Sequence, residues 1–275
     1  MKVVVYKCGL GNQLFEYVFS QYLKRRYFND RIYALTIERK LHAHNGFELS
    51  KWFDVDLKRT PFWIKCYVLL ILIVRGILLK FHVFIKVINT EKYFNNRNFI
   101  YEGYWQDKKY MLSTGVPSFK EDLPLSEENV EILRQIKSSN SVAIHFRRGD
   151  YISTETNRLL YGNICTEEYY ATSIKMIEDK VDHPLYFVFS DDVDYVRKNV
   201  KLKNRVIVSC NKGEKSFYDM YLMSHCKHMI LANSTFSCWA AYLNKNNGCV
   251  ICPSRWVNII ESPSIALDSW IQVEV

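Results

Sequence analysis

Dense Lys/Arg tracts, a G-x-G-x-x-G, a P-loop lysine and a second C-x-x-C are all missing from this sequence. The first absence puts nucleic acid last among possible partners. The next two argue against a dinucleotide oxidoreductase and a P-loop enzyme. The last leaves Cys249 and Cys252 of "GCVICP" without the second ligand pair that zinc needs. The other cysteines, Cys8, Cys66, Cys165, Cys210, Cys226 and Cys238, are scattered, so all eight read as ordinary thiols of a reducing compartment. No unbroken apolar run reaches the roughly 18 residues of a spanning helix. The opening "MKVVVYKCGLGN" has too short an apolar run for a signal peptide, which sets the expectation of a cytoplasmic protein. No Asp-x-Asp pair stands out as a Mg²⁺ site, so neither metal nor cofactor is expected.

What is present suits a globular chain of 275 residues, 48% hydrophobic and 24% charged, long enough to bury a real core. The net charge of +8 is compatible with an anionic lipid or a phosphorylated substrate. Aromatics make up 15%, which suits either sugar contact or an aromatic-heavy core.

The second half alternates short apolar runs with helix-length segments. Strands are expected at 141–146, 185–190, 205–209, 228–232 and 249–252, with helices such as "EEYYATSIKMIEDK" and "FYDMYLMSHCK" between them. That alternation predicts a parallel sheet covered on both faces. The first half opens the same way, with a strand over Lys2–Tyr6, a turn at Gly9–Gly11 and Asn12 as helix N-cap. "SFKEDLPLSEEN" is polar and carries proline, so the chain divides near it into residues 1–130 and 131–275, each Rossmann-like. Ligands of such sheets bind at the carboxyl ends of strands.

Four segments fall at such ends. "CGLGNQ" brings Gly9, Gly11 and Asn12 to a helix start, where backbone can approach a ligand closely; an ordinary strand–helix turn explains it as well. "HFRRGD" ends a strand with Arg147 and Arg148. Adjacent guanidiniums repel and are costly to bury without anions, so a diphosphate clamp is the reading preferred over a surface Arg–Asp pair. Asp191 and Asp192 stand at another strand end, as acceptors for ribose or guanine or as a helix N-cap. Asn233, Ser234, Thr235, Phe236 and Ser237 lead into a helix and offer hydroxyls and free amides, either a phosphate site or a plain cap. His145, Asp150 and Glu155 are the candidates to take a proton from an attacking hydroxyl, with Asp150 first and Glu155 second. Arg148–Gly149–Asp150 also spells an adhesion tripeptide, but a non-enzymatic binding module would need export.

Taken together, Gly9–Gln13, His145–Tyr151 and Asn233–Leu243 resemble the G-L-G-N-Q, H-x-R-R-G-D-Y and N-S-[ST]-F-S-x-W-A-A-[WY]-L segments of the α-1,2-fucosyltransferases, glycosyltransferase family 11. The resemblance runs nearly end to end. It implies a GT-B fold, two Rossmann-like domains facing a cleft, with the acceptor on the N-terminal side and GDP-fucose on the C-terminal side. It implies inverting, metal-independent transfer of L-fucose from GDP-β-L-fucose to the 2-hydroxyl of a β-galactoside in a surface glycan such as an O-antigen or capsule. One arginine of the pair would contact the diphosphate. Another nucleotide-sugar-dependent glycosyltransferase is the runner-up. The acceptor of bacterial relatives is often lipid-linked, which draws attention to Pro61–Val87. There Arg75, His82 and Lys86 share a narrow helical arc opposite an apolar face. Either the basic face lies on an anionic membrane or the segment is a core helix with a solvated basic edge.

Overall fold

The computed structural model describes residues 1–37, 41, 45–79, 94, 99–258 and 261–275, without the side chains at 76, 78, 79, 150 and 152. The chain forms two compact units, Met1–Lys120 and Glu121–Val275. The division falls ahead of the 130/131 boundary expected from sequence. The helix Glu127–Ser138, capped by the Ser126 hydroxyl, belongs whole to the second unit.

The first unit is built on β1 (Lys2–Tyr6), β2 (Ile32–Thr36) and, after the ribbon strand β3 (Phe53–Asp54), β4 (Ile100–Tyr101). The three-stranded sheet runs β2-β1-β4, all parallel. β3 pairs antiparallel with β5 (Ser118–Phe119) in a separate ribbon. β1 is buried along its whole length, as a central parallel strand should be. Its first residue, Lys2, is sealed in with its ammonium 3.4 Å from Asp30 and 4.0 Å from the Tyr27 ring.

The helix after β1 spans Leu10–Arg26 and starts earlier than expected. Gly9 is its N-cap, and Asn12 and Gln13 both donate their backbone N–H to the Gly9 carbonyl. The tight turn therefore sits at Cys8, whose φ is 63°, and Gly11 is inside the first helical turn. The Asn12 side chain does not cap; its Oδ1 accepts from Gln106 Nε2 at 2.8 Å. Much of the aromatic content is core: Phe19 stacks on Trp105 at 3.8 Å and lies against Tyr101 and Tyr110.

The helix Phe62–Leu79 corrects the expectation for Pro61–Val87. Arg75 is not on an outward basic face. Its Nη1 is 2.9 Å from Glu102, on the side of the helix that packs Ile64 and Val68 into the sheet core. A second apolar side, with Trp63, Leu70 and Ile73, is exposed. Lys80, His82 and Lys86 lie outside the described residues.

The second unit carries β6 (Ser141–Phe146), β7 (Leu185–Ser190), β8 (Arg205–Ile207), β9 (His228–Ile230), β10 (Val250–Pro253) and β11 (Ile271–Val273). These form one six-stranded parallel sheet in the order β11-β10-β9-β6-β7-β8. Counted from β6, this is the doubly wound order 3-2-1-4-5-6, with the direction of winding reversing between β6 and β9. Val142, Ile144, Val188, Ile230 and Ile251 form the core with Tyr169 and Ile177 of the helix Glu167–Glu178. Cys252 is buried in β10, where desolvation pushes its thiol up to about 12, and Cys249 is raised by burial too. Neither suits redox work.

Candidate functional site

The switch point selects the crevice outside the carboxyl ends of β6 and β9. β6 delivers Arg147, Arg148 and Gly149 there. β9 delivers Asn233 and Ser234, and the neighbouring β7 delivers Asp191 and Asp192. The structure thus brings three of the four sequence segments to one sheet edge. Gly9, Gly11 and Asn12 belong to the first unit.

The two arginines are already answered by carboxylates. Arg147 Nη1 is 3.2 Å from Asp191 Oδ2, and Arg148 Nε is 3.5 Å from Asp192 Oδ2. The Arg148 backbone N–H donates to Asp191 Oδ1 at 2.9 Å. Asp192 also accepts from the Tyr195 backbone N–H, capping the helix Val193–Asn199. The aspartates therefore orient the guanidiniums, a role the sequence did not assign them. Gly149 lies close against the Asp191 carboxylate. A Cβ built there would stand 2.6 Å from Asp191 Oδ2, so any side chain would push the carboxylate away. Asp192 and Asp194 have Asp-x-Asp spacing, but Asp194 lies 3.7 Å from Arg197, and no metal-holding cluster occurs among the described residues.

Aromatic rings back both arginines. Arg148 Cζ lies 3.5 Å from the Tyr195 ring centroid, and Arg147 Cζ lies 5.6 Å from that of Tyr151. The Tyr151 hydroxyl donates to the Asn233 carbonyl at 2.9 Å, tying the β6 exit to the β9 exit. These tyrosines were missed in the sequence. Their signal was adjacency: Tyr151 follows the Arg-Arg-Gly-Asp run, and Tyr195 stands one helical turn past the capping Asp192.

The Asn233–Ser237 segment is mostly occupied with structure. Asn233 Nδ2 donates to the carbonyls of Tyr161 and Trp256. Ser234 caps Phe236 N–H, and Ser237 Oγ bonds the Ala232 and Ser234 carbonyls. Thr235 is half-buried at the start of the helix Thr235–Leu243.

His145 is 4% exposed, with Nδ1 lacking a hydrogen-bond partner. Burial pulls its pKa down to about 4, against the opposing pull of Asp191, so the imidazole is neutral near pH 7. Glu155 is exposed in the first turn of the helix Glu155–Tyr161. The side chain of Asp150 lies outside the described residues. Beside the arginines, a cavity of about 350 Å³ opens at the ends of β7 and β8. Asp191, Asp192, Ser209 and Lys212 line it.

The family described as Glycosyl transferase family 11 matches residues 81–274. An α-1,2-colitosyltransferase of Escherichia coli is 30% identical over 298 aligned residues, covering all of both chains. The Bos taurus galactoside 2-α-L-fucosyltransferase SEC1 is 25% identical over 54% of this chain and 43% of that protein. Among solved structures, the NodZ α-1,6-fucosyltransferase soaked with GDP-fucose aligns over 88% of this chain and 92% of that one, at 14% identity and a TM-score of 0.49.

Proposed function

The chain belongs to glycosyl transferase family 11, and from that premise we propose that it transfers L-fucose from GDP-β-L-fucose to the 2-hydroxyl of a β-galactoside, with inversion and without metal. The observation that carries this reading is the arginine pair at the carboxyl end of β6, held by Asp191 and Asp192. In this reading the two units are the halves of a GT-B transferase. The second unit takes the guanosine diphosphate and the first takes the acceptor, a galactose-containing surface glycan.

The chemistry follows from the side chains. Breaking the sugar–phosphate bond builds charge on the departing GDP. A guanidinium has five N–H donors, so one that is bonded to an aspartate still presents a fork to phosphate oxygens. Asp191 and Asp192 fix the direction of those forks before the donor arrives, so little reorganisation is needed as charge develops. Each such contact supports roughly 2–4 kcal/mol of transition-state stabilisation. The attacking hydroxyl passes its proton to a carboxylate, Asp150 or else Glu155. His145, although neutral, is sealed into the sheet.

A second reading, transfer of colitose, is supported by the full-length similarity to the colitosyltransferase. One experiment separates the two. The purified protein is given GDP-fucose or GDP-colitose with a panel of β-galactosides, with and without EDTA, and product linkage is read by NMR. An α-1,2-fucosyl product formed at the same rate in EDTA supports the proposal. Preference for colitose selects the second reading. A strict metal requirement, restored by adding metal back, refutes the metal-free mechanism.

A further inference from the structure

The helix Phe62–Leu79 is apolar on two sides, and only one of them is covered. Ile64 and Val68 are buried against Val3, Val5, Leu35 and Ile100 of the sheet, with Ile71 and Leu72 packed at the edge of that cluster. At about 100° per residue, Trp63, Cys66, Tyr67, Leu70, Ile73 and Ile77 fall within an arc of about 120° on the other side. Trp63 is 67% exposed, Leu70 58% and Ile73 60%. Other exposed large apolar residues of the first unit, such as Phe28 and Leu112, are scattered in sequence. A continuous stripe of this kind marks a contact surface.

Charge selects the occupant. From Leu57 to Thr90 the sequence holds no acidic residue, while Lys58, Arg59, Lys65, Arg75, Lys80 and Lys86 all fall within it. Lys58 and Arg59 are exposed just before the helix, while Lys65 is half-buried about 80° of arc outside the stripe. Arg75 takes no part, because Glu102 answers it on the covered side. An aromatic pair at one end of the stripe, aliphatic residues along the rest and exposed Lys58 and Arg59 just before the helix match the interface of an anionic bilayer. No helix among the described residues is long and apolar enough to cross a membrane. Ile64 and Val68 in any case tie this helix to its own sheet. Of the ways this helix could meet a bilayer, that leaves surface insertion of the exposed side.

We propose that the Trp63–Ile77 stripe seats the protein on an anionic phospholipid surface, with Lys58 and Arg59 at the headgroups. This goes beyond the transfer reaction and does not depend on it. The test is co-sedimentation of the full chain with phosphatidylcholine vesicles, with and without phosphatidylglycerol, at low and high salt. Binding should require phosphatidylglycerol and fall with salt. Leu70→Glu combined with Ile73→Glu should weaken it by about tenfold or more, with far-UV dichroism and thermal unfolding unchanged. Lys58→Glu combined with Arg59→Glu should also weaken it. Brominated acyl chains should quench tryptophan fluorescence in the wild type and much less in Trp63→Phe, which still binds. Failure to pellet at low salt would overturn the proposal, as would equal binding by the Leu70/Ile73 variant. A dimer in sedimentation velocity that this variant splits would give the stripe to a second copy of the chain instead.

Discussion

Each unit holds arginine against carboxylate, one such pair in the first and a tandem of two in the second, and their settings differ. In the first unit Arg75 meets Glu102 at 2.9 Å, with the two side chains 25% and 10% exposed. In the second, Arg147 meets Asp191 at 3.2 Å and Arg148 meets Asp192 at 3.5 Å, all between about a quarter and a third exposed. Pair geometry alone does not separate a structural bridge from a ligand site. Context does. Arg75 sits on the core side of a helix, single, beside a largely buried carboxylate. Arg147 and Arg148 sit in tandem at a sheet's carboxyl edge, at the switch point, with Gly149 close against the Asp191 carboxylate and aromatic rings behind. That is the setting in which a further anion can be accepted.

The comparison is sharpened most by Arg148→Ala. The expected loss of transfer is about a hundredfold or more, matching roughly 2–4 kcal/mol of charge stabilisation. GDP affinity by calorimetry should fall as well. Thermal unfolding should barely move, because a part-exposed pair contributes about 0–1 kcal/mol to the fold. Wild-type transfer and GDP affinity in both Arg147→Ala and Arg148→Ala would end the diphosphate assignment.

Arg75→Met should behave in the opposite way. Transfer to a soluble acceptor stays near wild type, while urea unfolding reports a loss of about 1–3 kcal/mol, because the largely buried Glu102 carboxylate loses a charged partner. Glu102→Gln in the Arg75→Met background should recover part of that loss, and the double-mutant cycle isolates the pair. If Arg75→Met instead lost activity with stability intact, the two pairs would not differ as argued.

How much was legible follows the same divide. The strands of the second unit were readable because a parallel strand buried on both faces is a short apolar run. "SVAIHF" and "LYFVFS" match β6 and β7 residue for residue. Arg147 and Arg148 stood out because adjacent cations at the end of such a run demand an anion, and in the structure Asp191 and Asp192 answer them. The partnership of Asp191 with Arg147 was not, since it joins positions brought together only by the β6–β7 register of Phe146 with Ser190. In the first unit the sheet has three strands, one of them only two residues long, and such a strand leaves little periodic signal. The helix Phe62–Leu79 was recognised as a helix, but its facing was inverted. Apolar residues occupy both sides, so the basic arc of Arg75, His82 and Lys86 marked Arg75 as the wet edge. Only Glu102, distant in sequence, makes that edge the dry one.

The smallest expected effect tests why the tandem arginines hold their direction. Arg148 Cζ stands 3.5 Å from the Tyr195 ring centroid, near enough for the cation to rest on the negative face of the ring. The ring is placed by the helix that Asp192 caps, so one carboxylate sets both the guanidinium and the surface beneath it. A cation–π contact at a partly exposed site contributes about 0.5–1 kcal/mol. Tyr195→Leu keeps the apolar bulk and removes the π face, so GDP affinity should fall by about two- to fivefold. Tyr195→Phe keeps the face and removes only the hydroxyl, so it should bind as the wild type does. Calorimetric titration of GDP into the three proteins decides the point. Equal loss in Tyr195→Leu and Tyr195→Phe would assign the effect to the hydroxyl. No loss in either would leave the two aspartates as the sole guides of Arg148, and the aromatic backing would drop out of what distinguishes this pair from Arg75 and Glu102.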